Sequence, residues 1–294
     1  MIGIDWGTTN LRAWAFDQSG TVIASRTGGQ GISAIADGDF ACVLRATIGD
    51  WTDGSVPIAL GGMIGSRQGW REAPYIACPA ALETLAAAAV PIDTGIGPGW
   101  IAPGLSWVDD AGVPDVMRGE ECQLLGVDIA DGIVVLPGTH SKWVTIAHGA
   151  IEEFRTFMTG ELFSLLRTHS LLGRLMPETA PDREPDWAAF DRGAMRSLVD
   201  PALPALLFGV RTEGLFGRIP PPALADYLSG LLIGAEIASA PGTGGVTIVG
   251  AHALTSLYDR VLALAGRRGN RAISGGDAAA RGLWRIGSIT LGEN

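Results

Sequence analysis

The sequence predicts an α/β protein built from two lobes, and three observations lead to this prediction. Apolar segments typical of strands alternate with segments of helical spacing, which favours mixed sheets covered by helices. A pattern of strand, Gly-Thr turn and strand begins at Ile2 and occurs again from Ile133. With 294 residues, 47% of them hydrophobic, the chain can bury roughly 75% of its unfolded surface and fill two cores.

The first half of the chain opens with this hairpin pattern. Residues 2–6 predict a strand, residues 7–10 (Gly-Thr-Thr-Asn) a turn, and residues 11–16 the returning strand. Periodicity and end signals predict the later elements: a helix over 40–51 behind the N-cap Asp39, strands over 57–60 and 100–105, and a helix over 119–127. Glu120 and Glu121 lie at the start of the helix over 119–127 and suit the positive end of its dipole. We expect residues 1–130 to form an N-terminal lobe.

The second half repeats the hairpin pattern and then becomes regular. Residues 133–136 predict a strand, Pro-Gly-Thr-His at 137–140 a turn, and residues 143–147 the returning strand. The later elements are a predicted surface loop over 176–187, a helix over 222–240, a strand over 246–249, and helices over 253–265 and 277–285. We expect residues 131–294 to form a C-terminal lobe that faces the first across a cleft.

The charge of the chain restricts its partners. A net charge of -10 disfavours nucleic acid and anionic membranes, because both require clustered Lys and Arg. We therefore expect a small-molecule partner, no nucleic acid and no membrane, since apolar runs such as 228–240 fall short of the ~20 residues of a membrane span.

The three cysteines, Cys42, Cys78 and Cys122, have no metal or redox spacing. No basic leader precedes Ile2, so we expect a cytosolic protein. A homodimer is the default expectation for its assembly.

The duplicated turn carries the first functional prediction. A Gly-Thr hairpin presents backbone N–H groups and a hydroxyl at its tip, and these groups suit an anionic phosphate chain. Because the protein is acidic, local N–H groups, a few cations and Mg²⁺ must hold phosphate there. The residues alone therefore predict a site for nucleotide phosphates.

Several motifs resemble those of the actin, Hsp70 and sugar-kinase superfamily. They are a first phosphate motif at 5–10, a second phosphate motif at 137–143, and an adenosine motif at 249–251 (Val-Gly-Ala). Residues 117–121, 158–162 and 229–236 are similar to signature stretches of the 2-dehydro-3-deoxygalactonokinase family. This resemblance covers nearly the whole chain and implies a two-lobed actin-like ATPase fold, in which a ribonuclease H-like domain is duplicated.

The family resemblance implies an activity and a set of nucleotide-binding residues. The activity is ATP- and Mg²⁺-dependent transfer of the γ-phosphoryl group to the terminal 6-hydroxyl of 2-dehydro-3-deoxy-D-galactonate, whose 6-phosphate an aldolase then splits in galactonate catabolism. The implied nucleotide-binding residues are Gly7, Thr8, Thr9, Asn10, Gly138, Thr139, His140, Lys142, Gly250 and Ala251. Lys142 is expected to supply charge to the phosphates, and the alternative is an ordinary exposed strand residue.

Asp5 is the predicted metal anchor. It ends an apolar strand, where a carboxylate that is merely buried is costly, so we expect it to hold Mg²⁺ through water. The alternative is an aspartate that makes a turn or a cap. The Gly-Thr-Thr that follows favours the metal role.

Glu120 and Glu121 are the candidates for the catalytic base. A kinase of this type needs a carboxylate that orients the acceptor hydroxyl and takes its proton. Adjacent helix positions point about 100° apart, so at most one of the two faces the reacting atoms. We favour Glu120 and expect its neighbour to cap the helix or bind Arg118. Many sugar kinases of this fold use Asp instead, and this sequence has no obvious counterpart.

Five residues are candidates for binding the sugar acid. Arg12, Arg67 and Arg118 each adjoin a loop at the predicted cleft, and a bidentate guanidinium suits a carboxylate. Surface salt bridges are the alternative for each arginine. Gly160 and Glu161 are expected to close the site near the acceptor, and the alternative is a helix start with Thr159 as N-cap.

Two other functions stay open at this point. An exopolyphosphatase-like phosphohydrolase of the same superfamily would use the Gly-Glu-Glu carboxylate to position water. A non-enzymatic, nucleotide-dependent switch would bind ATP and change shape without forming a phosphorylated small molecule.

Overall fold

The computed structural model describes residues 1–35, 38–178, 183–200 and 202–292. The strands are β1 (Ile2–Trp6), β2 (Leu11–Phe16), β3 (Val22–Gly28), β4 (Ile58–Gly61), β5 (Tyr75–Ala77), β6 (Val90–Asp93), β7 (Pro98–Ile101), β8 (Gly104–Val108), β9 (Pro114–Met117), β10 (Gly132–Leu136), β11 (Ser141–Ala147), β12 (Ala150–Phe157), β13 (Val246–Gly250) and β14 (Arg271–Ser274). The helices are α1 (Phe40–Ile48), α2 (Leu82–Ala87), α3 (Glu120–Val127), α4 (Thr159–His169), α5 (Trp187–Val199), α6 (Leu203–Leu215), α7 (Leu224–Ser239), α8 (His252–Leu264) and α9 (Gly275–Leu291).

The sheets are mixed, as the sequence predicted. One sheet has the order β3-β2-β1-β4-β7-β6, in which β1 runs antiparallel to β2 and parallel to β4. A second has the order β12-β11-β10-β13-β14, with β10 parallel to β13, and a small third sheet has the order β5-β8-β9. Parallel neighbours that are distant in sequence require helical crossovers, which places the chain in the α/β class.

The chain divides into two compact units, each with its own hydrophobic core. The first unit consists of residues 1–132, 144–154 and 273–294, and the second of residues 133–143 and 155–272. Ile4, Leu60 and Ile101 belong to the core of the first unit. The second unit has one core around Val135 and Ile248 and another around Leu228 and Leu231. The lobe boundary at residues 130 and 131 stays a prediction; by their contacts, residues 273–294 belong with the first unit.

Each unit contains a pair of helices in close contact through glycine. In the first unit, a Cβ at Gly126 of α3 would lie 1.8 Å from the carbonyl oxygen of Ala278, and one at Gly282 of α9 would lie 1.7 Å from that of Cys122. In the second unit, α5 and α7 meet in the same way at Gly193 and Gly230. Because no side chain fits at these positions, each helix backbone rests directly on its partner.

Most predicted elements are present, with shifted ends. The helix at 40–51 ends at Ile48, and the Asp39 side chain accepts the N–H of Cys42 as a cap. The last helix runs beyond its predicted bounds, from Gly275 to Leu291. The single strand at 100–105 was wrong, because β7 ends at Ile101 and β8 begins at Gly104.

Some helices and strands carried no clear sequence signal. The predicted loop at 176–187 lies partly outside the described residues, and α5 begins at its last position. Helices α5 and α6 and the short strands β5, β6 and β14 were not predicted. Within the described ranges, no helix combines the length and the hydrophobicity that a bilayer crossing demands.

Candidate functional site

Asp5 lies near the carboxyl end of β1 and contacts Arg12, its register partner on β2. Its side chain is 16% exposed. A Cβ at Gly62, directly after β4, would lie 3.1 Å from Asp5 Oδ1 and 2.9 Å from the carbonyl oxygen of Trp6. Gly62 has a φ of 90°, so glycine both permits this backbone and keeps the space beside the carboxylate open.

The electrostatics of Asp5 reflect its position. Burial raises the pKa of Asp5 above its ordinary value, and the charge and hydrogen bond of Arg12 oppose that rise. Arg12 therefore stabilises the ionised carboxylate, which is the form that binds a cation.

The first Gly-Thr turn follows Asp5 and is held by backbone hydrogen bonds. Gly7 N donates to the carbonyl oxygen of Asn10 at 2.9 Å, which closes the turn. Residues 31–33 donate to the carbonyl oxygens of Gly7, Thr8 and Thr9 at 3.0 to 3.1 Å. Thr8, Thr9 and Asn10 are exposed, so the tip is accessible on a fixed backbone.

The start of α3 lies beside this strand end. A Cβ at Gly119, whose φ is 107°, would lie 3.3 Å from the Cα of Gly62. Gly62 thus contacts both Asp5 and the segment that carries the two candidate bases. The fold of the first unit brings Asp5, Glu120 and Glu121 to one place, although 115 positions separate Asp5 from Glu120 in the sequence.

The two glutamates differ in exposure. Glu120 is half-buried, and its Oε2 accepts the N–H of Arg118 at 3.1 Å. Glu121 is fully buried, and its Oε2 accepts the N–H of Gly119 at 2.6 Å. Both side chains therefore bind the loop before the helix, and Glu120 is the accessible one.

Burial raises the pKa of Glu121 to about 8, and the neighbouring charge of Glu120 adds to the rise. Backbone hydrogen bonds and the charge of Arg118 act in the opposite direction. Glu121 is therefore largely protonated at neutral pH and adds little negative charge beside Glu120.

The three candidate arginines have different surroundings. Arg118 is 9% exposed, donates from Nη2 to the carbonyl oxygen of Ala73 at 2.8 Å and stacks on Tyr75. The Arg67 side chain is 84% exposed and pairs with Glu72. Arg12, with a side chain 36% exposed, contacts Asp5. Arg12 and Arg67 are thus accessible to solvent, and each already forms an ion pair, whereas Arg118 is buried.

In the second unit, the second Gly-Thr turn packs against the start of α4. A Cβ at Gly160 would lie 2.3 Å from the carbonyl oxygen of Gly138 and 2.8 Å from the Cα of Thr139. Glu161 N donates to the carbonyl oxygen of Thr139 at 3.0 Å, and its carboxylate lies 2.5 Å from His140 Nε2. The fold therefore brings three predicted nucleotide-binding residues, Gly138, Thr139 and His140, next to Gly160 and Glu161. These last two are the residues predicted to close the site near the sugar acid.

The helix start itself departs from the alternative weighed for Thr159. Met158 is the N-cap, and Thr159 is the first helical residue, so the N-cap assignment of Thr159 was wrong. Its hydroxyl donates to Glu236 on α7 instead.

Lys142 and the adenosine motif lie close to this turn in sequence or in space. Lys142 is 5% exposed, which rules out the alternative of an exposed strand residue, and its Nζ donates to Thr156 Oγ1 at 2.6 Å. Gly250 ends β13 and Ala251 caps α8. A Cβ at Gly250 would make ordinary contact with Pro137, which precedes the turn.

A cavity of about 320 Å³ in the second unit opens beside the second Gly-Thr turn and the start of α4. Gly138, Thr159 and Gly160 form one part of its lining, and apolar side chains of α4, α7 and α8 form most of the rest. Asp226 accepts from Arg183 at 2.5 Å and from Asp186 N at 3.0 Å, which places a fixed ion pair in the wall. The size and the mixed lining suit a small organic ligand.

Sequence reasoning missed most of this cavity. Its lining residues outside the predicted set include Phe163, Arg167, Arg183, Asp226, Leu254, Leu257 and Tyr258. Arg183 and Asp226 are 43 positions apart and belong to no local pattern. Ser229, which opens the signature stretch at 229–236, was the available signal on α7.

Asp5 of the first unit suits a magnesium ion whose other ligands are mainly phosphate oxygens of the nucleotide and water. Among the described residues, no group of three or more His, Cys, Asp or Glu side chains could hold a metal ion. Mg²⁺ in phosphoryl-transfer sites usually takes one or two carboxylates and keeps water and phosphate oxygens as its other ligands. Asp5, with glycine rather than a side chain beside it, meets that requirement.

Comparison with known proteins gives consistent matches. A family model described as 2-keto-3-deoxy-galactonokinase matches residues 5–286. The 2-dehydro-3-deoxygalactonokinase of Escherichia coli is 38% identical over 265 residues, which cover 88% of each chain. A crystal structure from Sinorhizobium meliloti, assigned to the same enzyme class, has 36% identity and a TM-score of 0.87 over 98% of each chain.

A more distant match concerns the fold alone. The xylulose kinase of Lactobacillus acidophilus aligns with 100% of this chain and 89% of its own, with 11% identity and a TM-score of 0.53. The predicted sugar-kinase fold is thereby confirmed.

Proposed function

The chain belongs to the 2-keto-3-deoxy-galactonokinase family, and from this premise we propose that it phosphorylates 2-dehydro-3-deoxy-D-galactonate. The reaction transfers the γ-phosphoryl group of ATP to the 6-hydroxyl and yields the 6-phosphate for galactonate catabolism. The family match carries the identity of the sugar acid, and the meeting of the Asp5 strand end with the Gly119–Glu120 segment at Gly62 supports phosphoryl transfer. A metal anchor and an accessible base are what phosphoryl transfer to a hydroxyl requires.

The residues of the first unit take the chemical roles in this proposal. Asp5 holds Mg²⁺, which when bound neutralises charge on the transferring phosphate. Glu120 orients the acceptor hydroxyl and takes its proton. Glu121, buried and largely protonated, fixes the loop through Gly119. Arg12 and Arg67 are the candidates for the carboxylate of the sugar acid.

The residues of the second unit take the nucleotide in this proposal. The turn at 138–140 supplies N–H groups to the phosphates, and Lys142 adds positive charge. The cavity beside it, which is lined in part by Leu254 of the helix that Ala251 precedes, receives the adenosine. We also propose that the enzyme is cytosolic and forms a homodimer.

A coupled assay tests the function. Wild-type enzyme receives ATP, Mg²⁺ and a panel of 2-keto-3-deoxy sugar acids, and we expect one ADP for each 6-phosphate formed. Release of inorganic phosphate at the same rate with and without the acid would favour the exopolyphosphatase-like alternative. Nucleotide binding without a phosphorylated product from any acid would favour the switch.

A further inference from the structure

Glu236 on α7 is a buried carboxylate with an unusual number of side-chain donors. It is 3% exposed and lies within the signature stretch at 229–236. Its partners are Ser141 Oγ at 2.7 Å, Trp143 Nε1 at 2.7 Å, Tyr258 Oη at 2.8 Å, and Thr159 Oγ1. A carboxylate offers about four acceptor positions, so these donors saturate Glu236.

Three of the four donors come from segments beside the second Gly-Thr turn, and Tyr258 comes from α8. Ser141 and Trp143 begin β11, directly after the turn at 138–140. Thr159 begins α4 and precedes Gly160, whose backbone contacts Gly138 and Thr139. Glu236 therefore connects the strand that leaves the turn with the helix that supports it.

Two of the four donors also belong to the candidate nucleotide cavity. Thr159 and Tyr258 line it together with Gly138 of the turn. A change in the hydrogen bonds of Glu236 would therefore move both the turn at 138–140 and one wall of the cavity. Burial makes these contacts rigid, because a donor such as Trp143 Nε1 would otherwise lose its acceptor away from water.

We propose that Glu236 is a positioning residue that holds the second phosphate turn and the first turn of α4 in the geometry that binds nucleotide phosphates. This inference rests on the proposed function for the identity of the nucleotide. Glu236 itself is enclosed by its four donors and acts through the turn.

The Glu236→Gln variant tests the inference with little change in volume. The glutamine amide has one acceptor oxygen and an NH₂ donor, so two of the four donors lose their acceptor. We expect the dissociation constant of Mg·AMPPNP, measured by calorimetry, to rise at least about tenfold, in line with lost hydrogen bonds to a charged group. The KM of the sugar acid should change less than the dissociation constant of Mg·AMPPNP, because its candidate arginines lie in the other unit and only Gly160 and Glu161 share the first turn of α4.

Glu213→Gln is the matched control. Glu213 is a carboxylate of the same unit, on α6, with a side chain 16% exposed and a 2.6 Å hydrogen bond from Arg192. Replacing this carboxylate with an amide should leave the dissociation constant of Mg·AMPPNP within about twofold of the wild-type value. Equal weakening in both variants, or unchanged affinity in a folded Glu236→Gln protein, would overturn the inference.

Three further outcomes bear on the inference. If circular dichroism shows that Glu236→Gln does not fold, Ser141→Ala replaces it, with an expected rise of about threefold or more, and unchanged affinity in that variant overturns the inference. If wild-type protein binds Mg·AMPPNP but phosphorylates no sugar acid, the proposed function fails, and the positioning role is still judged by the two variants. Wild-type protein that does not bind Mg·AMPPNP contradicts both.

Discussion

At the residue scale, the candidate carboxylates are separated by their surroundings. Glu120 is half-buried at the start of α3, Glu121 is fully buried beside it, and Asp5 pairs with Arg12 at the end of β1. Identical functional groups thus differ in their surroundings and in their access to solvent, and the proposed roles follow these differences.

The metal role of Asp5 predicts a loss of turnover without a loss of the fold. Asp5→Asn keeps the shape of the side chain and removes the charge that holds Mg²⁺. We expect kcat to fall by about 10³-fold or more, since a metal contributes several kcal/mol to phosphoryl transfer. The assay follows ADP formation over a range of Mg²⁺ concentrations. Asp110→Asn, at an exposed position of the same unit, is the control, and wild-type kcat in Asp5→Asn would reject the role.

The base assignment predicts unequal effects of two neighbouring substitutions. Glu120→Gln should lower kcat by about 10²- to 10⁴-fold, because general-base catalysis contributes that much. Glu121→Gln should lower it less, since its oxygen can still accept the N–H of Gly119. Steady-state kinetics with saturating ATP compare the two. A larger loss in Glu121→Gln would move the base to that residue.

Glu121 also predicts a pH dependence of stability. Its pKa is about 8 in the folded chain and near 4.5 when unfolded. Below about pH 4.5 the group is neutral in both states, and as pH rises towards 8 the unfolded state ionises first, so the folded state loses stability. Urea unfolding at pH 5 and pH 8 should therefore show that Glu121→Gln gains free energy of unfolding relative to wild type at pH 8. An equal difference at both pH values would contradict the raised pKa.

At the element scale, close helix contacts position the site. Helix α3 carries Glu120 at its start and rests on α9 through Gly126 and Gly282. A side chain at this contact would push α3 away from α9 and move Glu120 relative to Gly62. The glycines thus act on the site through the placement of a whole helix.

This contact predicts that Gly282→Ala impairs both stability and activity. The new Cβ would lie 1.7 Å from the carbonyl oxygen of Cys122, so a backbone must shift. We expect a loss of about 1–3 kcal/mol or more in the free energy of unfolding, measured by urea titration, with reduced kcat. Gly276→Ala in the same helix is the control, because its Cβ would meet its nearest neighbours at 3.8 Å. Wild-type stability in Gly282→Ala would contradict the packing argument.

At the scale of the whole molecule, the chain returns to its first unit at the end. Helix α9 belongs to residues 273–294 of that unit and packs on α3, β1 and β4. A Cβ at Gly3 or Gly61 would lie 3.2 Å from side-chain atoms of Leu283, so α9 covers the sheet closely. The first unit therefore depends on residues at both ends of the sequence.

A truncation tests this dependence. A chain that ends at Ser274 lacks α9 and should not fold its first unit, because the apolar face of the sheet would be exposed to water. A chain that ends at Gly292 keeps α9 and is the control. Circular dichroism and proteolysis compare the two. A folded first unit in the shorter chain would contradict the role of α9.

The sequence by itself determined the fold class, the family and the places of the two Gly-Thr turns. Alternation and helical spacing report local backbone geometry, so helices such as α1 and α7 were predicted within a few residues. The turn residues at 7–10 and 138–140 were recognisable because their chemistry is contained in a few neighbouring positions.

Only the tertiary structure decided which side chains meet. Glu236 contacts Ser141 across 95 positions, and Arg183 contacts Asp226 across 43. It also decided that Glu120 is accessible while Glu121 is buried, although the two are adjacent. Burial and long-range partners depend on how distant segments pack, and no local periodicity carries that information.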